Sequence, residues 1–109
     1  MHMRTGAYRK ISFEKAKELL DTEAEIRFFD VREEEEYVTG HADGAQLFPL
    51  DSINETSAAE AIPSLDTPVL VYCRSGVRSM TAAMTLLHLG YTRVYDMGAL
   101  NGWPYGIAW

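Results

Sequence analysis

The chain holds one cysteine, Cys73, and the residues after it are the set a reactive sulfur needs: Arg74, Ser75, Gly76, Val77, Arg78 and Ser79. A single thiol cannot close an internal disulfide or form a Cys-x-x-Cys redox pair, and no Cys/His cluster has structural zinc spacing. The apolar run at residues 68–72, Pro-Val-Leu-Val-Tyr, predicts a strand in the middle of a parallel sheet, with Cys73 at its end. Met80, Ala83, Met84 and Leu87 recur at helical spacing and predict a helix over residues 78–89, stopped by Gly90. The chain between strand and helix is short and must turn tightly, and Gly76 permits the dihedrals this requires. Successive N–H groups in such a turn converge on one point, and the helix start adds the positive end of its dipole. The result is an anion cradle made of main chain, and Arg74 and Arg78 add to its field. That setting favours the thiolate, the nucleophilic form of the side chain. A lone cysteine after an apolar strand is otherwise a small buried hydrophobe; the flanking arginines and glycine favour the reactive reading.

A second group of polar residues sits at another predicted strand end. Residues 26–31 are mostly apolar and close on Asp30, Val31 and Arg32. Asp and Arg two apart at a strand terminus favour structural hydrogen bonding over chemistry. Residues 33–39 predict a short helix stopped by Gly40, with four consecutive glutamates, Glu33 to Glu36, as a solvated first turn near the positive dipole end. His41 comes after the glycine and reads as a residue that orders local backbone rather than as a general base. His88 falls near a helix C-terminus, a favourable place for an imidazole.

The remaining elements position these two strand ends. Ser12 can cap a helix over residues 13–20, with Phe13, Ala16, Leu19 and Leu20 as its apolar stripe. Residues 45–48 predict a short strand closed by Pro49, residues 51–64 a loop with one or two helical turns, and residues 93–95 a last short strand. Strands alternating with helices imply parallel pairing with helices on both faces, and ligands in such sheets bind outside the carboxyl ends of the strands.

The totals fit one folded domain spanning residues 1–109: 47% of the residues are hydrophobic and 24% charged. Sixteen acidic side chains against ten basic give a formal net charge of -6, which disfavours nucleic acid and anionic membrane as partners. The start of the chain, with His2 read as incidental, lacks the apolar stretch of a secretory leader, and no run approaches a membrane span. A cytoplasmic protein is expected, although a secreted one whose leader has been removed would read the same.

Spacing sorts the chemistries open to Cys73. Cysteine phosphatases and the related arsenate reductases place five residues between cysteine and arginine, a loop wide enough for a tetrahedral oxyanion, whereas four separate Cys73 from Arg78. The shorter loop favours a smaller guest, the terminal sulfur of a persulfide. The segment from Cys73 to Ser79 resembles the active-site loop of the rhodanese family. Asp30-Val31-Arg32 with Glu36-Tyr37, Gly40-His41 and Gly44-Ala45 resembles that family's N-terminal signature, and Gly98-Ala99-Leu100 with Trp103 its C-terminal one. The likeness runs from about Ile11 to Trp103. Ala42 stands where a larger aliphatic residue is more usual and Ala99 where a second glycine is common.

The resemblance implies a three-layer fold with a central, mostly parallel sheet of about five strands, and a sulfurtransferase that uses no cofactor. Cys73 takes sulfane sulfur from a donor such as thiosulfate and passes it to a thiophilic acceptor, small or carried on a partner protein. Backbone N–H groups from Arg74 to Ser79 would hold the persulfide, and Arg74 would meet an anionic donor. For Arg78 two roles stand open, donor binding or bracing the loop against a carboxylate such as Glu36. Asp30, Arg32, Glu36 and His41 are expected in support. The alternatives are a persulfide relay or docking module acting with a partner protein and, disfavoured by the loop count, a phosphatase or arsenate reductase. Trp103, Tyr105 and Trp109 are expected to pack rather than to stack on a ligand.

Overall fold

The computed structural model describes residues 6–109. The reading of the first five residues as leaderless, with an incidental His2, lies outside them. In chain order the elements are β1 (Arg9–Lys10), α1 (Phe13–Thr22), β2 (Arg27–Asp30), α2 (Glu34–Tyr37), β3 (His41–Ala42), β4 (Gln46–Leu47), a 3-10 turn (Leu50–Ser52), α3 (Glu55–Ala61), β5 (Val69–Cys73), α4 (Val77–His88), β6 (Val94–Ala99) and β7 (Ile107–Ala108). Five strands form one sheet in the order β1-β6-β5-β2-β4, every neighbouring pair parallel, and β3 pairs with β7 in a separate antiparallel ribbon. No helix of the described residues is long and apolar enough to cross a membrane.

The strand alternation divides the core in two. Val69, Val71 and Cys73 of β5 join Phe29, Val94 and the buried face of α4 on one side of the sheet. Leu70 and Tyr72 join Phe28, Met97, Trp103 and the buried residues of α1 on the other. A central strand covered on both faces has no polar side to show, which is why β5 is buried at all five positions. Ser12 caps α1 as expected, its hydroxyl accepting from the Lys15 N–H at 3.1 Å.

Three differences from the expected layout have physical causes. α4 buries Ser79, Ala82, Ala83 and Leu86, while Met80 and Met84, two members of its expected apolar stripe, are 51% and 41% exposed. Ser79, Ala82 and Ala83 let α4 approach the sheet closely around Leu86, so Met80 and Met84 face outward. The last strand is longer than residues 93–95, because a bulge lets β6 follow β5 to its end: Val71 pairs with Asp96 but Tyr72 with Gly98. Trp109 does not pack within the chain; it is 83% exposed.

Candidate active site

The carboxyl ends of β2 and β5 lie side by side, with Asp30 registered against Tyr72. The chain leaves β5 at Cys73, turns, and starts α4 at Val77, with Gly76 at φ +98° as the residue that makes the turn possible. This folds the main chain over the sulfur. The N–H groups of Gly76 and Ser79 donate to Cys73 Sγ at 2.9 and 3.3 Å. Val77 and Arg78 occupy the first turn of the helix, where N–H groups have no carbonyl four residues back to accept them. The Cys73 residue itself is fully buried, and its carbonyl accepts from the Leu100 N–H at 2.9 Å. The Ser79 hydroxyl donates to the Gly76 carbonyl at 3.2 Å and closes the turn.

The two arginines of the loop have separate surroundings. Arg78 makes a two-pronged contact with Glu36 of α2, Nη1 to Oε1 at 2.6 Å and Nη2 to Oε2 at 3.0 Å. Oε1 also accepts the Glu33 N–H at 3.0 Å, so Glu36 is fixed from both sides rather than solvated with its three neighbours. The Arg78 guanidinium, joined by that backbone donor, draws the Glu36 carboxyl down to about 2 from its ordinary 4.5 despite partial burial. Arg74 is exposed and makes no ion pair among the described residues. It lines a pocket of about 550 Å³ together with Arg32, Glu36, Thr39, Asn101 and Trp103. Ser75 and Val77 lie on the other side of the loop, on a second pocket that is mainly apolar.

At the end of β2, Asp30 and Arg32 are 0% and 6% exposed and bound to each other, Arg32 Nη2 to Asp30 Oδ2 at 2.7 Å. Further hydrogen bonds tie the cluster to its surroundings. Arg32 Nη2 also donates to the Gly40 carbonyl, the Arg32 N–H to Asp30 Oδ1, and the Tyr72 hydroxyl to Asp30 Oδ2 at 2.5 Å. The Tyr72 oxygen in turn accepts the Ala42 N–H at 3.0 Å. Burial, reinforced by the bond to Asp30, pushes the Tyr72 phenol well above its ordinary range, so it stays neutral. His41 stacks on the Tyr37 ring with centroids 3.7 Å apart, and its Nδ1–H donates to the Tyr37 carbonyl at 3.0 Å, which fixes the tautomer. It does not line the pocket at Arg74.

The geometry therefore brings Cys73, Gly76, Ser79, Arg74, Arg78 and Glu36 together and leaves His41 as part of the neighbouring turn. Two features went unread in the sequence. Tyr72 joins the β2 end to β3 through its hydroxyl, a role hidden in an apolar run. Asp96, 1% exposed, holds the β6 bulge by accepting the Gly98 N–H at 2.7 Å and the Tyr8 hydroxyl at 2.6 Å. A carboxylate directly after a predicted strand was the available signal for it.

A family model described as a rhodanese-like domain matches residues 12–104. The chain belongs to the rhodanese-like family. It is 38% identical over 74 residues to the thiosulfate sulfurtransferase PspE of Escherichia coli, covering 68% of this chain and 70% of the relative. It is 34% identical over 88 residues to the probable adenylyltransferase/sulfurtransferase MoeZ of Mycobacterium tuberculosis; that stretch is 80% of this chain but 22% of MoeZ, so the chain spans about a fifth of that relative. Among solved structures, a rhodanese with anions from E. coli superposes with a TM-score of 0.70 at 32% identity, covering 76% of this chain and 96% of the other. The five-stranded parallel sheet with flanking helices is thus a rhodanese fold, as the sequence resemblance implies.

Proposed function

We propose that the protein is a sulfurtransferase that carries sulfane sulfur on Cys73. The observation that supports this best is the pair of backbone N–H groups aimed at a fully buried Sγ, at the floor of a loop too short for a tetrahedral oxyanion. The Cys73 thiolate attacks the outer sulfur of an anionic donor such as thiosulfate. The bond from that sulfur to the sulfonate breaks, sulfite leaves with the electron pair, and Cys73 keeps the sulfur as a persulfide anion. An acceptor nucleophile then takes the outer sulfur and returns the pair to Cys73. No cofactor takes part.

The N–H groups of the loop are already in place before charge arrives, so they stabilise the persulfide without reorganising. Arg74, with its charge uncommitted, receives the donor. Arg78 braces the loop against Glu36, and the Asp30–Arg32–Tyr72 cluster holds the strand ends on which the loop stands. The similarity to MoeZ, a longer protein, supports a second reading in which the same persulfide is passed to a partner protein.

Thiosulfate should add one sulfur atom to the intact protein, visible by mass spectrometry, and cyanide should remove it as thiocyanate. Cys73→Ser should do neither; thiocyanate formed at the wild-type rate by that variant would overturn the mechanism. Sulfur addition from protein or low-molecular-weight persulfides but not from thiosulfate would favour the relay. Hydrolysis of an aryl phosphate, lost in Cys73→Ser, would promote a phosphatase instead.

A further inference from the structure

Of the three buried charged side chains among the described residues, Asp30 and Arg32 bind each other and Asp96 stands apart from them. Its two oxygens each accept a neutral donor, Oδ1 the Gly98 N–H at 2.7 Å and Oδ2 the Tyr8 hydroxyl at 2.6 Å. An apolar side chain would cost less to bury there, and what the carboxylate adds is those two bonds. Burial first, then the bond to Asp96, pushes the Tyr8 phenol up to about 12, so the hydroxyl keeps its proton well into the alkaline range.

Asp96 pairs with Val71, and Val71 shares its face of the sheet with Cys73, so the carboxylate and the sulfur lie on the same side. Just beyond it the pairing slips, Tyr72 meeting Gly98, and the bond from Asp96 to the Gly98 N–H spans that slip. Gly98 takes φ +80°, and the Lys10 side chain lies over it, where an added Cβ would meet Cε at 2.7 Å. The bulged backbone meets the cysteine loop at two points. A Cβ built on Gly76 would lie 3.8 Å from Gly98 Cα and 4.0 Å from the Ala99 nitrogen, and the Leu100 N–H donates to the Cys73 carbonyl at 2.9 Å. Gly76 is the residue whose N–H reaches Cys73 Sγ at 2.9 Å, so the bulge backs directly onto the cradle.

We infer that Asp96 is a positioning residue for Cys73: by holding the β6 bulge against the loop it fixes the Gly76 N–H on the sulfur, acting through Gly98 rather than on the sulfur itself. The inference deepens the sulfurtransferase reading and rests on it for the use made of the sulfur. A hydrogen bond to an anion weakens steeply as distance and angle depart from the optimum, so a loop free to drift loses part of its hold on the thiolate. Tyr8 is the second tie, from the edge strand to the same carboxylate. Charge alone would act in the opposite sense, because removing a carboxylate from the sulfur's side of the sheet favours the thiolate. The two roles therefore differ in sign.

The test is alkylation of Cys73 in the full chain by iodoacetamide across the pH range, without any sulfur donor. Access to the sulfur scales the rate at every pH, whereas ionisation moves the midpoint of the profile. Asp96→Ala should move that midpoint up by about one pH unit, a roughly tenfold slower reaction on its acid side. Asp96→Asn keeps an acceptor for the Gly98 N–H and should leave the midpoint where it is or lower it. Tyr8→Phe leaves the carboxylate one tie and should raise the midpoint by about half a unit. Ile62→Ala, a truncation of a buried residue at the end of α3, is the control for lost stability alone and should leave the midpoint unmoved. An unmoved or lowered midpoint in Asp96→Ala, a rise in Asp96→Asn equal to that in Asp96→Ala, or an equal rise in Ile62→Ala overturns the proposal. If Asp96→Ala does not fold, Tyr8→Phe decides, and an unmoved midpoint there overturns it. Alkylation needs no sulfur transfer, so the two levels fail separately: wild type that forms no thiocyanate from thiosulfate and cyanide sinks the transferase reading, and the midpoints judge Asp96 on their own.

Discussion

The ends of β2 and β5 are neighbours in one sheet and are built on opposite principles. At the β2 end, Asp30, Arg32 and the Tyr72 hydroxyl are buried and bond chiefly to one another, with only an edge of Arg32 reaching the Arg74 pocket. At the β5 end the backbone N–H groups outnumber the protein acceptors, and the surplus points at one sulfur. The buried, mutually paired charges are scaffold, and the loop whose N–H groups face the sulfur is where chemistry is available. Formal charge is therefore a poor guide to the reactive end of this sheet; unanswered donors are the better one.

The largest expected effect breaks the scaffold. Asp30→Ala leaves the Arg32 guanidinium buried without its carboxylate and the Tyr72 hydroxyl without its acceptor. It should cost roughly 3–5 kcal/mol by urea denaturation, and a loss under about 1 kcal/mol would show that the β2 end is not the support it is taken to be.

The bridge between the two ends gives a smaller, pH-dependent effect. The carboxyl of Glu36 has a folded pKa of about 2 against an ordinary 4.5, so its contribution is fully present above pH 4.5 and is lost as pH falls towards 2. The pair is partly exposed, with side chains 31% and 26% accessible, so solvent screening leaves about 1–2 kcal/mol of it. Glu36→Gln should be less stable than wild type by that amount at pH 6, and the gap should close between pH 4.5 and 2. A gap constant over that range would mean the ion pair contributes nothing.

The smallest effect on the fold should come from Arg74→Ala, which breaks no contact. Melting temperature should not change, while KM for thiosulfate rises about tenfold with kcat nearly preserved, the pattern of a lost binding contact. An unchanged KM would move the donor away from the Arg74 pocket.

Much of this was legible because burial on both faces forces a strand to be apolar throughout. β5 could be read to within a residue, and with it the place where the cysteine loop must begin. The loop count, four residues to Arg78, was likewise readable, but the destination of the Arg78 side chain was not. Glu36 is 42 residues away, and only the parallel register of β2 on β5 sets α2 beside the loop. Two-residue strands such as β1, β3 and β7 carry no pattern of their own and exist only through partners far along the chain. The exposed Met80 and Met84 mark a further limit: periodicity located the helix, but the face it buries was decided by how closely small side chains allow it to approach.

Parallel pairing also sets an order of events. β5 gains its outer neighbour only when β6 is in place, and the Leu100 N–H that caps the Cys73 carbonyl lies beyond β6. Tyr8 closes on Asp96 across 88 residues. Such distant closures make folding slow, and synthesis proceeds from the N-terminus at about 5–20 residues per second. Cys73 therefore leaves the ribosome before the chain that shelters it, and for that interval its thiol is an ordinary one, open to oxidants and without its cradle.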